Sequence, residues 1–352
     1  MTMPSPVSAP SRTLRILAWL SFLAETIIIG TGGAVRLTGS GLGCSEWPLC
    51  TPGSLVPTPE LGIHGIIEFG NRTMTGVVGV LALAVLLLTL HLAGGRRAVS
   101  RSLWSALAAI LVGIAGFVVA MPFDVPAFPV ASAGLLLATI VAAVLSIRSV
   151  SQRADLAVLA WIVLVGVVAQ GFVGGITVLT GLNPFIVGFH YASSLVLVCV
   201  TAAFLVRMGA APGARERAVP RWYAITTHVT SLVLAVTIAF GVLTTGNGPH
   251  SGDADVVRTG FDATLLSHIH SWPGYLLFAL VAVLVVAAWR LDLPTRGWAT
   301  ALLAVLVVQI GVGVWQANAA LPPLLVGIHM VLAALSAAAF TALVLALKRP
   351  AR

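Results

Sequence analysis

The chain has 352 residues, of which 59% are hydrophobic and only 9% charged. A soluble domain carries about 25% charged residues, so this composition excludes a soluble protein and implies an all-α, polytopic membrane protein. The formal net charge of +8 would suit a nucleic-acid binder, but its placement between apolar runs is explained by membrane topology, with no nucleic acid as partner.

Ten apolar runs follow one another, at about 14–35, 64–92, 102–121, 127–147, 156–180, 185–207, 222–245, 263–289, 297–317 and 324–347. The first is too long for a signal-peptide core, and no small-residue cleavage site follows it. Pro122, Pro126 and Pro129 mark the turn between the third and fourth runs, a hairpin that either spans or lies shallow. With ten spans, every Lys and Arg except Arg36, Arg72 and Arg258 falls on one side. The positive-inside rule then predicts a cell-membrane protein with both termini cytoplasmic. Two long loops, 36–62 and 246–262, lie on the outer side, where function is expected to cluster.

The first outer loop contains "GCSEWPLC". On an oxidising face, Cys44 and Cys50 are expected to pair, either as a loop staple or as a redox or heme-handling pair. Cys199 lies within a membrane run and reads as packing.

The second run opens on "HGIIEFGNR", His64 to Arg72. His64, Glu68 and Asn71 are spaced i, i+4, i+7 and fall on one helix face, within about 60°. A carboxylate near the centre of a membrane helix costs about 2.5–3.5 kcal/mol on insertion scales, so Glu68 is expected to face a bundle interior. One reading is a neutralising Glu68–Arg72 pair at i, i+4. The other is a buried carboxylate beside a redox cofactor, acting as base or charge stabiliser. Glu25, mid-way along the first run, has no polar neighbour on its own face and receives no role.

Two later segments align without a gap at an offset of 139: "QGFVGGITVLTGLNPFIVGFH", Gln170 to His190, and "QIGVGVWQANAALPPLLVGIH", Gln309 to His329. The shared Gln, Pro and terminal His carry more weight than the shared aliphatics. A weaker echo links "RLTGSG" at Arg36 with "LTTGNG" at Leu243. The repeats predict two parallel four-helix units related by an axis along the membrane normal. Residues 1–95 and 154–210 form the first unit, 218–350 the second, and 100–150 an inserted hydrophobic hairpin. A four-helix bundle can hold a cofactor between facing helices.

Of the eight histidines, His91 and His228 lie near cytoplasmic ends and His250 in an outer loop, where it is expected to be solvated. His190 and His329 occupy repeat-matched depths, with His270 at a similar depth. Neutral imidazole is a good axial ligand for heme iron, and His270 with His329 would make a bis-histidine clamp in the second unit. His268, about 200° around the helix from His270, faces elsewhere. The first unit offers His64 and His190 as possible ligands together with a carboxylate, which suggests chemistry in one unit and electron transfer in the other.

"GSGLGCSEWPLC", "IIEFGNR", "GGITVLTGLNP" with the following "FH", and "GIH" in the last run together resemble the heme A synthase family, in its actinobacterial-type branch. The resemblance covers most of the chain except about 100–150. It implies an oxidoreductase that converts a methyl group of heme O, its substrate, to a formyl group by successive hydroxylation, giving heme A for cytochrome oxidase. It implies a resident heme b, with His270 and His329 as iron ligands, Glu68 as the essential acid, and His190 as the substrate-side histidine. Asn71 and Arg72 would line the same pocket. Asn71 stands where many members have a histidine, and His64 is the candidate replacement ligand. Expected partners are heme O synthase, an electron acceptor, membrane lipid and a second copy of the chain in a homo-oligomer. The alternative is a membrane cytochrome b moving electrons between a quinol and an outer acceptor.

Overall fold

The computed structural model describes residues 9–123, 127–150, 152–253, 256 and 260–351. Pro126, Arg258 and Arg352, used above, lie outside the described residues. In chain order the elements are α1 (Arg12–Leu37), a 3-10 turn (Pro59–Leu61), α2 (Gly62–Ala120), α3 (Ala127–Arg148), α4 (Ala154–Leu179), α5 (Pro184–Met208), β1 (Arg215–Arg217), α6 (Arg221–Asn247), α7 (Ala263–Arg290), α8 (Arg296–Asn318), α9 (Pro323–Leu345) and β2 (Lys348–Pro350). Among the described residues nine helices are long and apolar enough to cross a membrane. The protein is a multi-pass, all-α membrane protein.

Nine helices replace ten runs because α2 takes in both the second and third. Its 59 residues, at about 1.5 Å each, far exceed a hydrocarbon core of about 30 Å. The helical backbone breaks at Gly95, with φ 67° and ψ −163°, a conformation that is essentially glycine's alone. Around it, 93–101 holds no proline, so helix continues on both sides of a single reversed residue. The second limb packs along α3 through small residues. Gly113 lies beside Ala131 and Leu135, Gly134 beside Val112, and the Ser102 and Ser146 hydroxyls bond at 2.8 Å.

Local signals start the helices where they begin. Ser11 caps α1 by accepting from the Leu14 N–H at 3.1 Å. Asn183 caps α5 in the same way, with Pro184 at the first helical position, where its missing N–H costs nothing. Asp262 caps α7 through the Thr264 and Leu265 amides.

α1, the first limb of α2, α4 and α5 meet around Ala24, Val78, Ala82, Val163, Val167 and Leu197. α6 to α9 surround Leu234, Val281, Leu284, Leu302, Phe340 and Leu343. Between these clusters, Ile29 of α1, Leu195 and Val198 of α5, and Ala334 and Ala338 of α9 form a seam. The 139-residue offset recurs in the contacts there. Gly188 of α5 lies against Val242 of α6, and Gly327 of α9 lies against Leu37 of α1. Membrane helices approach closely where such small residues stand.

The two faces of the molecule differ. On the basic face, β1 pairs antiparallel with β2, reinforced by Arg349 and Glu216 at 2.8 Å. On the loop face, the two long loops are joined by the Gly41 N–H donating to the Gly252 carbonyl at 3.0 Å. His250, expected in solvent, instead bonds through Nε2 to the Leu321 carbonyl at 2.8 Å.

Candidate functional site

Cys44 and Cys50 form a disulfide, and both are fully buried. The loop they close is held down from α2. Arg72 donates through Nη1 to the Leu49 carbonyl at 2.9 Å, and through Nη2 to the carbonyls of Cys44 and Glu46 at 3.0 Å each. Glu68, only 4% exposed, ties the same loop. Its Oε2 accepts from the Cys44 N–H at 2.6 Å, and its Oε1 pairs with Arg72 Nη2 at 2.5 Å. The i, i+4 ion pair therefore forms, and both carboxylate oxygens are occupied. Trp47, at the loop tip, reaches α4. It packs edge-on to Phe172, with ring centroids 6.0 Å apart. A Cβ at Gly175 would fall 2.4 Å from its ring.

The three residues that spacing puts on one helix face go to three different partners. His64 is exposed in the first turn of α2, with Nδ1 2.9 Å from the Ser40 hydroxyl. Glu68 binds the disulfide loop. Asn71, two turns deeper than His64, accepts from the Thr31 hydroxyl of α1 at 2.8 Å. His64 is the third residue of its helix, whereas His190 and His329 are each the seventh of theirs and His270 the eighth.

His270 and His329 face one another, with ring centroids 6.2 Å apart and planes at 80°. Metal–imidazole bonds of about 2 Å on either side of one ion leave ring centroids roughly 6 Å apart. His270 Nδ1 lies 2.9 Å from the Thr237 carbonyl. Donation there fixes the tautomer and leaves Nε2 as the free lone pair, the usual outer-shell arrangement of a metal-binding histidine. His329 Nδ1 is buried and makes no hydrogen bond of normal geometry. Each ring lies against a bare stretch of neighbouring helix. A Cβ at Gly241 would come within 2.9 Å of His270 Cε1, and one at Gly313 within 3.0 Å of His329 Cε1. Pro273, three residues past His270, removes a helical hydrogen bond and loosens α7 beside that ring. These residues fit a heme iron held between two imidazoles.

His190 repeats half of this arrangement. Its Nδ1 is also buried without a partner, and Gly174 lies beside it, 3.5 Å from Cε1 to an ideal Cβ. Gly174 is adjacent to Gly175, where Trp47 packs, so the disulfide loop closes over the α4 surface next to His190. Gly174 and Gly313 are the glycines of a Val-Gly pair shared by the two repeat segments. The sequence displayed that pair but gave it no role. His91, His228 and His268 are exposed. Glu25 is 2% exposed with Oε1 unpartnered.

A family model described as COX15-CtaA, cytochrome oxidase assembly protein, matches residues 130–344, more than half of the chain. The matched span contains His190, His270 and His329; Glu68 and the disulfide loop precede it. Over 81 residues, 23% of this chain and 27% of the relative, the chain is 41% identical to a heme A synthase of Exiguobacterium sibiricum. It is 38% identical over 80 residues to one of Bacillus licheniformis, covering 22% of this chain and 26% of that protein. It is 41% identical over 76 residues to one of Geobacillus kaustophilus, covering 20% and 22%. The aligned stretch spans about a quarter of the length of these curated relatives.

Proposed function

This chain belongs to the COX15-CtaA family of cytochrome oxidase assembly proteins, and on that premise we propose that it is a heme A synthase, oxidising a methyl group of heme O to a formyl group. One observation carries the reading. A facing imidazole pair, His270 and His329, lies on one side of the α5–α9 seam. On the other side stand a half-buried histidine with a buried Nδ1 and a buried carboxylate, His190 and Glu68, with an asparagine two turns into α2. An electron-carrying cytochrome would want a second imidazole pair there, and it has no use for the carboxylate. The actinobacterial-type assignment rests on the loop and "IEFGNR" motifs.

In this reading α1, the first limb of α2, α4 and α5 make the substrate unit, α6 to α9 the electron-transfer unit, and the second limb of α2 with α3 an added hairpin. His270 and His329 hold heme b, which supplies one-electron transfer when bound. Thr237 keeps His270 in the ligating tautomer. His190 holds the substrate heme O. Glu68, positioned by its bonds to Arg72 and the Cys44 amide, stabilises positive charge at the reacting carbon or takes its proton. The stapled loop and Trp47 cover that end of the site. His64 belongs to the pocket entrance, because it stands about one turn nearer the loop face than His190. The basic face is cytoplasmic. Heme O synthase supplies the substrate, and an acceptor on the loop side takes the electrons.

The test is heme A formation in cells supplied with heme O, compared between wild type and Glu68→Gln. Removing an acid–base group costs about 100-fold or more, and we expect that loss with the heme b spectrum intact. Full heme A formation by the variant would sink the assignment of Glu68.

A further inference from the structure

We propose that Arg36 is an anion anchor at the seam, holding a propionate carboxylate of the heme bound between His270 and His329. The inference rests on the heme reading above. Arg36 lies in the last turn of α1, and its guanidinium donates to the Thr245 carbonyl of α6. Thr245 is one turn from Gly241, whose carbonyl accepts its hydroxyl at 2.7 Å, and Gly241 is the residue against the His270 ring. Tyr191 of α5 stands in the same neighbourhood. The Tyr191 hydroxyl donates to the Met330 carbonyl at 3.2 Å, beside His329. The guanidinium thus sits about one helical turn, roughly 5.4 Å, toward the loop face from the imidazole pair.

Among the described residues, no counter-charge is paired with this cation. The ion pairs among the described residues are Arg72–Glu68, Arg153–Asp155, Arg296–Asp292 and Arg349–Glu216, and Arg36 is in none of them. Its Nε is buried without a hydrogen-bond partner. Arg36 is half-buried, and a guanidinium drawn partly out of water and facing one carbonyl is under-compensated, because a neutral dipole does not offset a desolvated charge. A carboxylate does, and the planar guanidinium suits it bidentately. Gly252 packs against the Arg36 stem, 3.8 Å from Cγ to an ideal Cβ, and its carbonyl is tied to Gly41, so the joined loops close over this position. A heme held at its centre by two imidazoles would carry its propionates on one edge, and among the described residues Arg36 is a cation on the loop side of the imidazole pair.

The test separates a charge anchor from a structural tie between α1 and α6. Full-length protein made in heme-depleted cells is titrated in detergent with ferric protoheme and with its dipropionate dimethyl ester, following the low-spin spectrum of a bis-imidazole pair. A charge-assisted contact predicts that wild type binds the free acid about tenfold or more tightly than the ester. Arg36→Gln and Arg36→Met should bind the two alike, and Arg36→Lys should recover part of the preference. A neutral variant that keeps the wild-type preference overturns the proposal, as does a wild type that binds acid and ester equally. If neither neutral variant folds, that wild-type comparison decides. A wild type that binds neither tetrapyrrole overturns the heme reading itself.

Discussion

At Gly313 a single absent Cβ decides whether an imidazole has room. The Cβ of an alanine there would press to 3.0 Å from His329 Cε1, whereas the equivalent contact at Gly174 is 3.5 Å from His190. The first distance forces the ring to shift; the second is ordinary contact. We therefore expect Gly313→Ala to lower heme b occupancy several-fold, read from the reduced low-spin spectrum, while Gly174→Ala leaves that spectrum at wild-type intensity. Equal occupancy in the two variants would contradict the ring placement. Both glycines were visible in the sequence as part of a repeated Val-Gly pair. Helical periodicity gives a residue's direction, not the neighbour it meets, so their role needed the packing. The same limit applies to "HGIIEFGNR": the spacing gave one face, and the partners turned out to be Ser40, Arg72 with Cys44, and Thr31. Glu68 and Arg72 were legible as an i, i+4 pair because that geometry is local to one helix. Their hold on four backbone groups of the preceding loop was not.

Among the elements, the disulfide loop and the long second helix carry their own consequences. Both cysteines of the loop are fully buried and its backbone is fixed from α2 by Arg72, which favours a staple over a redox pair. Replacing Cys44 and Cys50 together with serine should cost about 2–4 kcal/mol of stability, seen as a lower unfolding temperature in detergent. The spectrum of the His270–His329 site should not change. In α2, Gly95→Ala puts a Cβ into a backbone conformation that costs about 1–3 kcal/mol, so we expect reduced yield of folded protein, with the remaining fraction retaining its heme spectrum. The ten apolar runs were legible from composition alone because each bilayer crossing needs its own stretch of about 20 residues. That two of them join as one helix interrupted at Gly95 was not, since Arg96, Arg97 and Arg101 read equally well as a loop. The β1–β2 pairing at the basic face left no sequence signal, being three residues long on each side.

For the whole molecule, the internal repeat supplies the organising relation. The 139-residue offset that aligns Gln170–His190 with Gln309–His329 also relates two glycines that each meet another helix, Gly188 to Gly327, and Leu195 to Ala334 in the seam cluster. Helix α5 leans on α6 and α9 leans on α1, so His190 and the His329 of the imidazole pair lie on helices that share the α1–α5–α9 seam. Such symmetry was visible in the sequence. What breaks it, a carboxylate and an asparagine in one half and a second imidazole in the other, is where the function is expected to reside. The most direct test is the pyridine hemochrome spectrum of full-length protein purified from cells supplied with heme O. We expect heme B together with heme O or heme A in the same preparation; heme B alone would contradict the synthase and leave an electron-carrying cytochrome in its place.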